Sequence, residues 1–111
     1  HLTPVTLELG GKSPAIIGPE CRIDEAADKI LFGKCLNAGQ TCIAPDYVLL
    51  PRAQEQAFAQ AAQRSVAKLY PTLAKNPDYT GIINARHFNR LQETLQDAAA
   101  RGASIRGSVT T

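Results

Sequence analysis

An α/β fold, with a partial, open and mostly parallel sheet and flanking helices, is the class this 111-residue sequence predicts. Short apolar runs are each cut off by Gly or Pro, as buried strands are. Two longer segments repeat apolar residues every three or four positions, the period of an amphipathic helix. The two kinds of segment alternate, so at least part of the sheet runs parallel with helices across its faces.

Taken in order, Val5-Thr6-Leu7-Glu8-Leu9 reads as extended and Gly10-Gly11 breaks it. Pro14-Ala15-Ile16-Ile17 reads as a buried strand, ended by Gly18-Pro19. Asp24 is the expected N-cap of a helix running toward Lys34, with Ala27, Ile30 and Leu31 on one face. Asn37-Ala38-Gly39-Gln40 ends it, Gly39 supplying the backbone freedom for a sharp exit. Tyr47-Val48-Leu49-Leu50 is the next strand, stopped by Pro51. A second helix spans Ala53 to Leu69, with Phe58, Ala62, Val66 and Leu69 on its apolar face. A third follows the cap Asn84, with Phe88, Leu91, Leu95 and Ala98 turned inward and Gly102 closing it. Ala103-Ser104-Ile105-Arg106 is expected to begin a further strand.

Composition removes several function classes. Twelve Lys and Arg stand against ten Asp and Glu, which leaves no acidic tail or polybasic arm to organise binding. The three Tyr and three Phe have no basic cluster threaded among them, which argues against a stacking platform for nucleic acid. No apolar run approaches the roughly 20 residues of a membrane helix, and no charged-then-apolar leader opens the chain. Cys21, Cys35 and Cys42 are odd in number, so reduced thiols in a cytoplasmic protein are expected. There is no CxxC and the histidines are His1 and His87, so no metal site is expected. The absence of Met suggests an internal fragment.

Two constellations could carry chemistry. Glu8-Leu9-Gly10-Gly11-Lys12 places a carboxylate before two glycines, where a backbone or a flat ligand can approach closely; a plain turn with a solvated acid is the alternative. Gly39-Gln40-Thr41-Cys42 puts a thiol just past a helix-ending glycine, near backbone N–H groups of the kind that stabilise an oxyanion; a small hydrophobe is the alternative. Together they suggest a thiolate that forms an acyl intermediate and a carboxylate that activates the water releasing it. Spacing alone does not show that the two side chains meet. Cys35 reads as helix packing and Cys21 as an inert loop thiol. His87 reads as first-turn structure, and Lys12 as a structural or solvated charge.

Glu8-Leu9-Gly10-Gly11-Lys12 resembles the glutamate motif of the aldehyde dehydrogenase superfamily, and Gly39-Gln40-Thr41-Cys42 resembles its cysteine motif. The 34-residue separation of Glu8 and Cys42 is the family's usual one. Asn37 to Tyr47 and Ile83-Asn84-Ala85-Arg86-His87-Phe88 resemble the class-three-like branch, which includes coniferyl, fatty and aromatic aldehyde dehydrogenases. The resemblance implies NAD(P)-dependent oxidation of an aldehyde to a carboxylic acid, with Cys42 as nucleophile and Glu8 as the general base that hydrolyses the thioester. It implies that Leu9 and Gly10 lie near the nicotinamide, and that the parent enzyme is a homo-oligomer.

On the same resemblance, residues 1–111 are part of the catalytic domain. The cofactor-binding glycine motif, the oxyanion-hole amide and the ribose-binding glutamate have no counterpart in them. The isolated piece is therefore expected to be inactive as a dehydrogenase, with unpaired sheet edges. Two other readings compete: a thiol hydrolase with no redox step, and a catalytically silent packing or oligomerisation module.

Overall fold

In the computed structural model, which describes residues 2–107, the chain forms a single βαβ unit followed by two helices. Strand β1 (Ser13–Ile16) leads into helix α1 (Ile23–Cys35), a tight turn over Leu36–Gly39, and strand β2 (Pro45–Leu49). Short 3₁₀ turns at Arg52–Gln54 and Leu73–Lys75 flank helix α2 (Glu55–Leu69), and α3 (Ala85–Ala100) is the last element among the described residues. The strands pair parallel, with Pro14 opposite Tyr47, Ala15 opposite Val48 and Ile16 opposite Leu49. Ile17 N–H extends the ladder by donating to the Leu49 carbonyl at 2.9 Å. The α/β class and the parallel pairing are as the sequence predicts.

The core lies where α1 crosses α2. Ala27, Ala61 and Ser65 are buried at 0, 2 and 3% exposure, and such small side chains allow two helices to approach closely. Ser65 Oγ, buried on α2, donates to the Asp28 carboxylate of α1, which satisfies the hydroxyl. Arg64 and Asp24 join the same helices at 2.6 Å, but both are exposed, so the pair contributes at most about 1 kcal/mol. Ile17 and Ala44 are the other buried apolar residues, one at the end of β1 and one just before β2.

Five expectations need correction. β1 is not a buried strand: Ile17 just after it is buried, but Ile16, on the opposite face of the sheet, is 77% exposed. Val5–Leu9 is not a strand: the segment is exposed throughout and no neighbouring strand takes its backbone groups, without which an extended segment has no ladder. Asp24 is not the N-cap of α1. Arg22 holds that position with no side-chain cap, and Asp24 sits in the first turn, where its charge suits the helix dipole and pairs with Arg64. Phe88, Leu91 and Leu95 do not point into a core; they are 38–41% exposed, and no residue of α3 is buried. Ala103–Arg106 forms no strand, because no edge reaches it. The α3 cap is as expected: Asn84 accepts from the His87 N–H at 3.0 Å, and Gly102 follows the helix at φ +90°.

Candidate active site

Cys42 owes its position to two adjoining turns. Asn37, Ala38 and Gly39 have φ of 50°, 53° and 76°, a left-handed turn that reverses the chain as α1 ends. Gly39 adopts this freely, whereas at Ala38 it costs about 1–2 kcal/mol, strain the surroundings must hold. Ala44 N–H then donates to the Thr41 carbonyl at 3.2 Å, closing a β-turn with Cys42 at its second position. A thiol at the tip of such a turn faces solvent, and Cys42 is exposed. Among the described residues, no backbone carbonyl accepts from the Cys42 N–H. It is therefore available as a donor.

Glu8, Leu9 and Gly10 reach the same place by a different route. The arm that carries them passes directly over the Cys42 turn, and Gly11 makes the crossing possible. A Cβ at Gly11 would lie 2.0 Å from the Cys42 carbonyl oxygen, an impossible contact, so only glycine lets the backbones approach this closely. Glu8, Leu9, Gly10, Gly11, Gly39, Gln40, Thr41 and Cys42 line one open cleft of about 560 Å³. The two motifs that spacing could not join thus share a wall. A Cβ at Gly10 would meet nothing within 4 Å, and Leu9 is 86% exposed, so both present open surface beside the thiol.

The remaining residues singled out from the sequence fall outside this cleft. Lys12 pairs with Asp46 at 3.1 Å and stays largely exposed, a structural charge as expected. His87 sits in the first turn of α3. Cys21 is exposed in its loop. Cys35 is half-buried at the end of α1, and that burial pushes its thiol pKa up, with Lys34 opposing the shift. A raised pKa leaves less thiolate at any given pH below it. Iodoacetamide at neutral pH is accordingly expected to alkylate Cys21 and Cys42 well before Cys35, and peptide mapping of a time course checks the order.

Gln40 has no chemical role in the sequence reading, yet its side chain makes two long-range hydrogen bonds at the site. Its Nε2 donates to the Asn37 carbonyl at 2.9 Å and to the Gly81 carbonyl at 3.2 Å, and its Oε1 accepts from the Ile83 N–H at 3.0 Å. A long amide beside a chain reversal is the only sequence signal, and nothing local to it points to partners some 40 residues away.

A parallel βαβ unit thus places a turn-borne thiol, a carboxylate and two glycines along one cleft. Residues 1–108 match the aldehyde dehydrogenase family, and the chain belongs to it. It is 52% identical over 105 residues to a probable coniferyl aldehyde dehydrogenase of Pseudomonas aeruginosa, covering 95% of this chain and 22% of that protein. It is 50% identical over 97 residues to aldehyde dehydrogenase family 3 member A2 of Mus musculus, covering 86% and 20%. Among solved structures it resembles the substrate-bound state of Staphylococcus aureus AldH, with TM-score 0.81 and 37% identity over 96% of this chain and 23% of that one. A mutant of aldehyde dehydrogenase C from Pseudomonas syringae, in complex with NAD+ and octanal, gives TM-score 0.75 and 27% identity over 87% and 20%. The chain spans about a fifth of the length of the curated relatives it matches. No helix among the described residues is long and apolar enough to cross a membrane.

Proposed function

We propose that this chain supplies the nucleophile and the general base of an NAD(P)+-dependent aldehyde dehydrogenase acting on coniferyl aldehyde or a related aromatic or fatty aldehyde. The observation that carries the reading is the shared cleft: Gly11 brings the Glu8 arm onto the Cys42 turn. The names of the relatives support the substrate class.

Cys42, as thiolate, adds to the aldehyde carbon. A C–S bond forms, and the carbonyl electrons move onto oxygen, to which the uncommitted Cys42 N–H would donate. NAD(P)+, when bound, supplies the hydride acceptor that turns this thiohemiacetal into a thioester. Leu9 and Gly10 fit such a group, one offering exposed apolar surface and the other a face with no side chain to obstruct a flat ring. Glu8 then takes a proton from water as the water oxygen attacks the thioester carbon; the C–S bond breaks, the acid leaves and the Cys42 thiolate is regenerated. The three free thiols fit a reducing, cytoplasmic setting.

Glu8→Gln tests the division of labour in the enzyme that contains this chain. Acylation should proceed while deacylation slows, so rapid mixing is expected to show a burst of NAD(P)H followed by turnover about 100-fold or more below wild type. Unchanged steady-state turnover would remove Glu8 from the role. The 111-residue polypeptide by itself, about a fifth of the relatives' length, is expected to form no NAD(P)H from aliphatic or aromatic aldehydes. Steady turnover together with tight NAD(P)+ binding by calorimetry would contradict that.

A further inference from the structure

We infer that Gln40 is a positioning residue for the Cys42 nucleophile, holding the left-handed turn before it against the segment that leads into α3. The inference rests on the proposed role of Cys42. Both hydrogens of the Gln40 amide and its carbonyl oxygen are engaged, on Asn37, Gly81 and Ile83. One bond clasps the left-handed turn and two cross to residues 81 and 83, so a single side chain joins them. The Gln40 N–H also donates to the Asn37 carbonyl at 3.1 Å, and Asn37 Nδ2 donates back to the Gln40 carbonyl at 3.3 Å, which makes the turn a closed clasp.

Gln40 also stands in the wall between two clefts. One is the Glu8–Cys42 cleft, and the other, of about 580 Å³, is lined by Lys12, Lys34, Asp46, Ile83, His87 and Arg90 among others. Two residues after Gln40 comes the thiol. These bonds are solvent-accessible, so water replaces them readily when they break, and their stabilising effect on the fold is small. Their effect on the direction of the thiol is large, because a reacting atom displaced by about 1 Å can cost on the order of 100-fold in rate.

The test uses the enzyme containing this chain. Gln40→Met keeps length and removes the three side-chain hydrogen bonds while leaving the backbone ones; it is expected to lower kcat about 10- to 100-fold, with KM and melting temperature close to wild type. Ile83→Pro deletes the donor that Gln40 Oε1 receives, so adding it to Gln40→Met should cost less than about threefold more, well below its effect alone. A Gln40→Met enzyme with wild-type kcat, or additive losses in the double variant, would overturn the inference. If Gln40→Met does not fold, Gln40→Glu reads the same loss, since it keeps the acceptor for Ile83 and loses both donors; wild-type kcat there is equally contrary. Cys42→Ser, run in parallel, separates two failures. Turnover by Cys42→Ser near wild type removes the nucleophile reading itself, whereas an inactive Cys42→Ser beside a fully active Gln40→Met removes only the role of Gln40.

Discussion

Cys42→Ala in the full enzyme is expected to abolish aldehyde oxidation, leaving well under about one hundredth of wild-type turnover. The structure offers no substitute thiol in the cleft. Cys21 lies in the loop after β1, and Cys35 is half-buried at the end of α1 with a raised pKa, so neither lines the surface shared by Glu8 and Cys42. Cys35→Ala should therefore keep most activity while costing some packing. Steady-state assays on both variants, with circular dichroism to verify folding, check the pair. Appreciable turnover by Cys42→Ala would refute the assignment of the nucleophile, and a folded but inactive Cys35→Ala would show that the wrong thiol had been chosen.

Gly11→Ala is expected to have the second-largest effect, through geometry alone. The added methyl would sit 2.0 Å from the Cys42 carbonyl oxygen, and the neighbouring atom is backbone, which cannot rotate aside as a side chain would. The Glu8 arm and the Cys42 turn must separate, at a cost of about 2 kcal/mol in stability. The larger loss is catalytic: Glu8 and Cys42 no longer share one wall, and kcat should fall by about 100-fold or more. Gly10→Ala is the structural control. Its methyl meets nothing within 4 Å, so the melting temperature should stay close to that of the native protein. A Gly11→Ala enzyme with native stability and activity would mean that the arm does not cross the turn as described.

What the sequence made legible followed from local rules. The apolar runs gave β1 and β2 to within a residue or two, because both are bounded by residues that end strands. Gly39 was readable as a left-handed position and Asn84 as a cap, since each depends on its own side chain and its immediate neighbours. Apart from the start of α1, capped at Arg22 and not at Asp24, the expectations that failed depended on a distant partner. Val5–Leu9 has strand-like alternation, but pairing is decided by a neighbouring strand that local pattern cannot supply. The apolar stripe of α3 has helical spacing, yet spacing says only which residues share a face and not what covers it. At the site, the spacing of Glu8 and Cys42 carried the family resemblance, while the contact that joins them, Gly11 against the Cys42 carbonyl, is a property of the folded backbone. The Gln40 tie to Gly81 and Ile83 was hidden for the same reason.

The most direct measurement is intact-mass and peptide analysis of Glu8→Gln enzyme quenched shortly after mixing with aldehyde and NAD(P)+. With the base removed and the nucleophile kept, the thioester should accumulate. The expected result is a mass increase equal to the acyl group, mapped to the peptide carrying Cys42 and absent when cofactor is omitted. An unmodified Cys42 peptide in an enzyme that still consumes aldehyde, or an acyl group carried by Cys35 or Cys21, would contradict the covalent role proposed for the Cys42 turn.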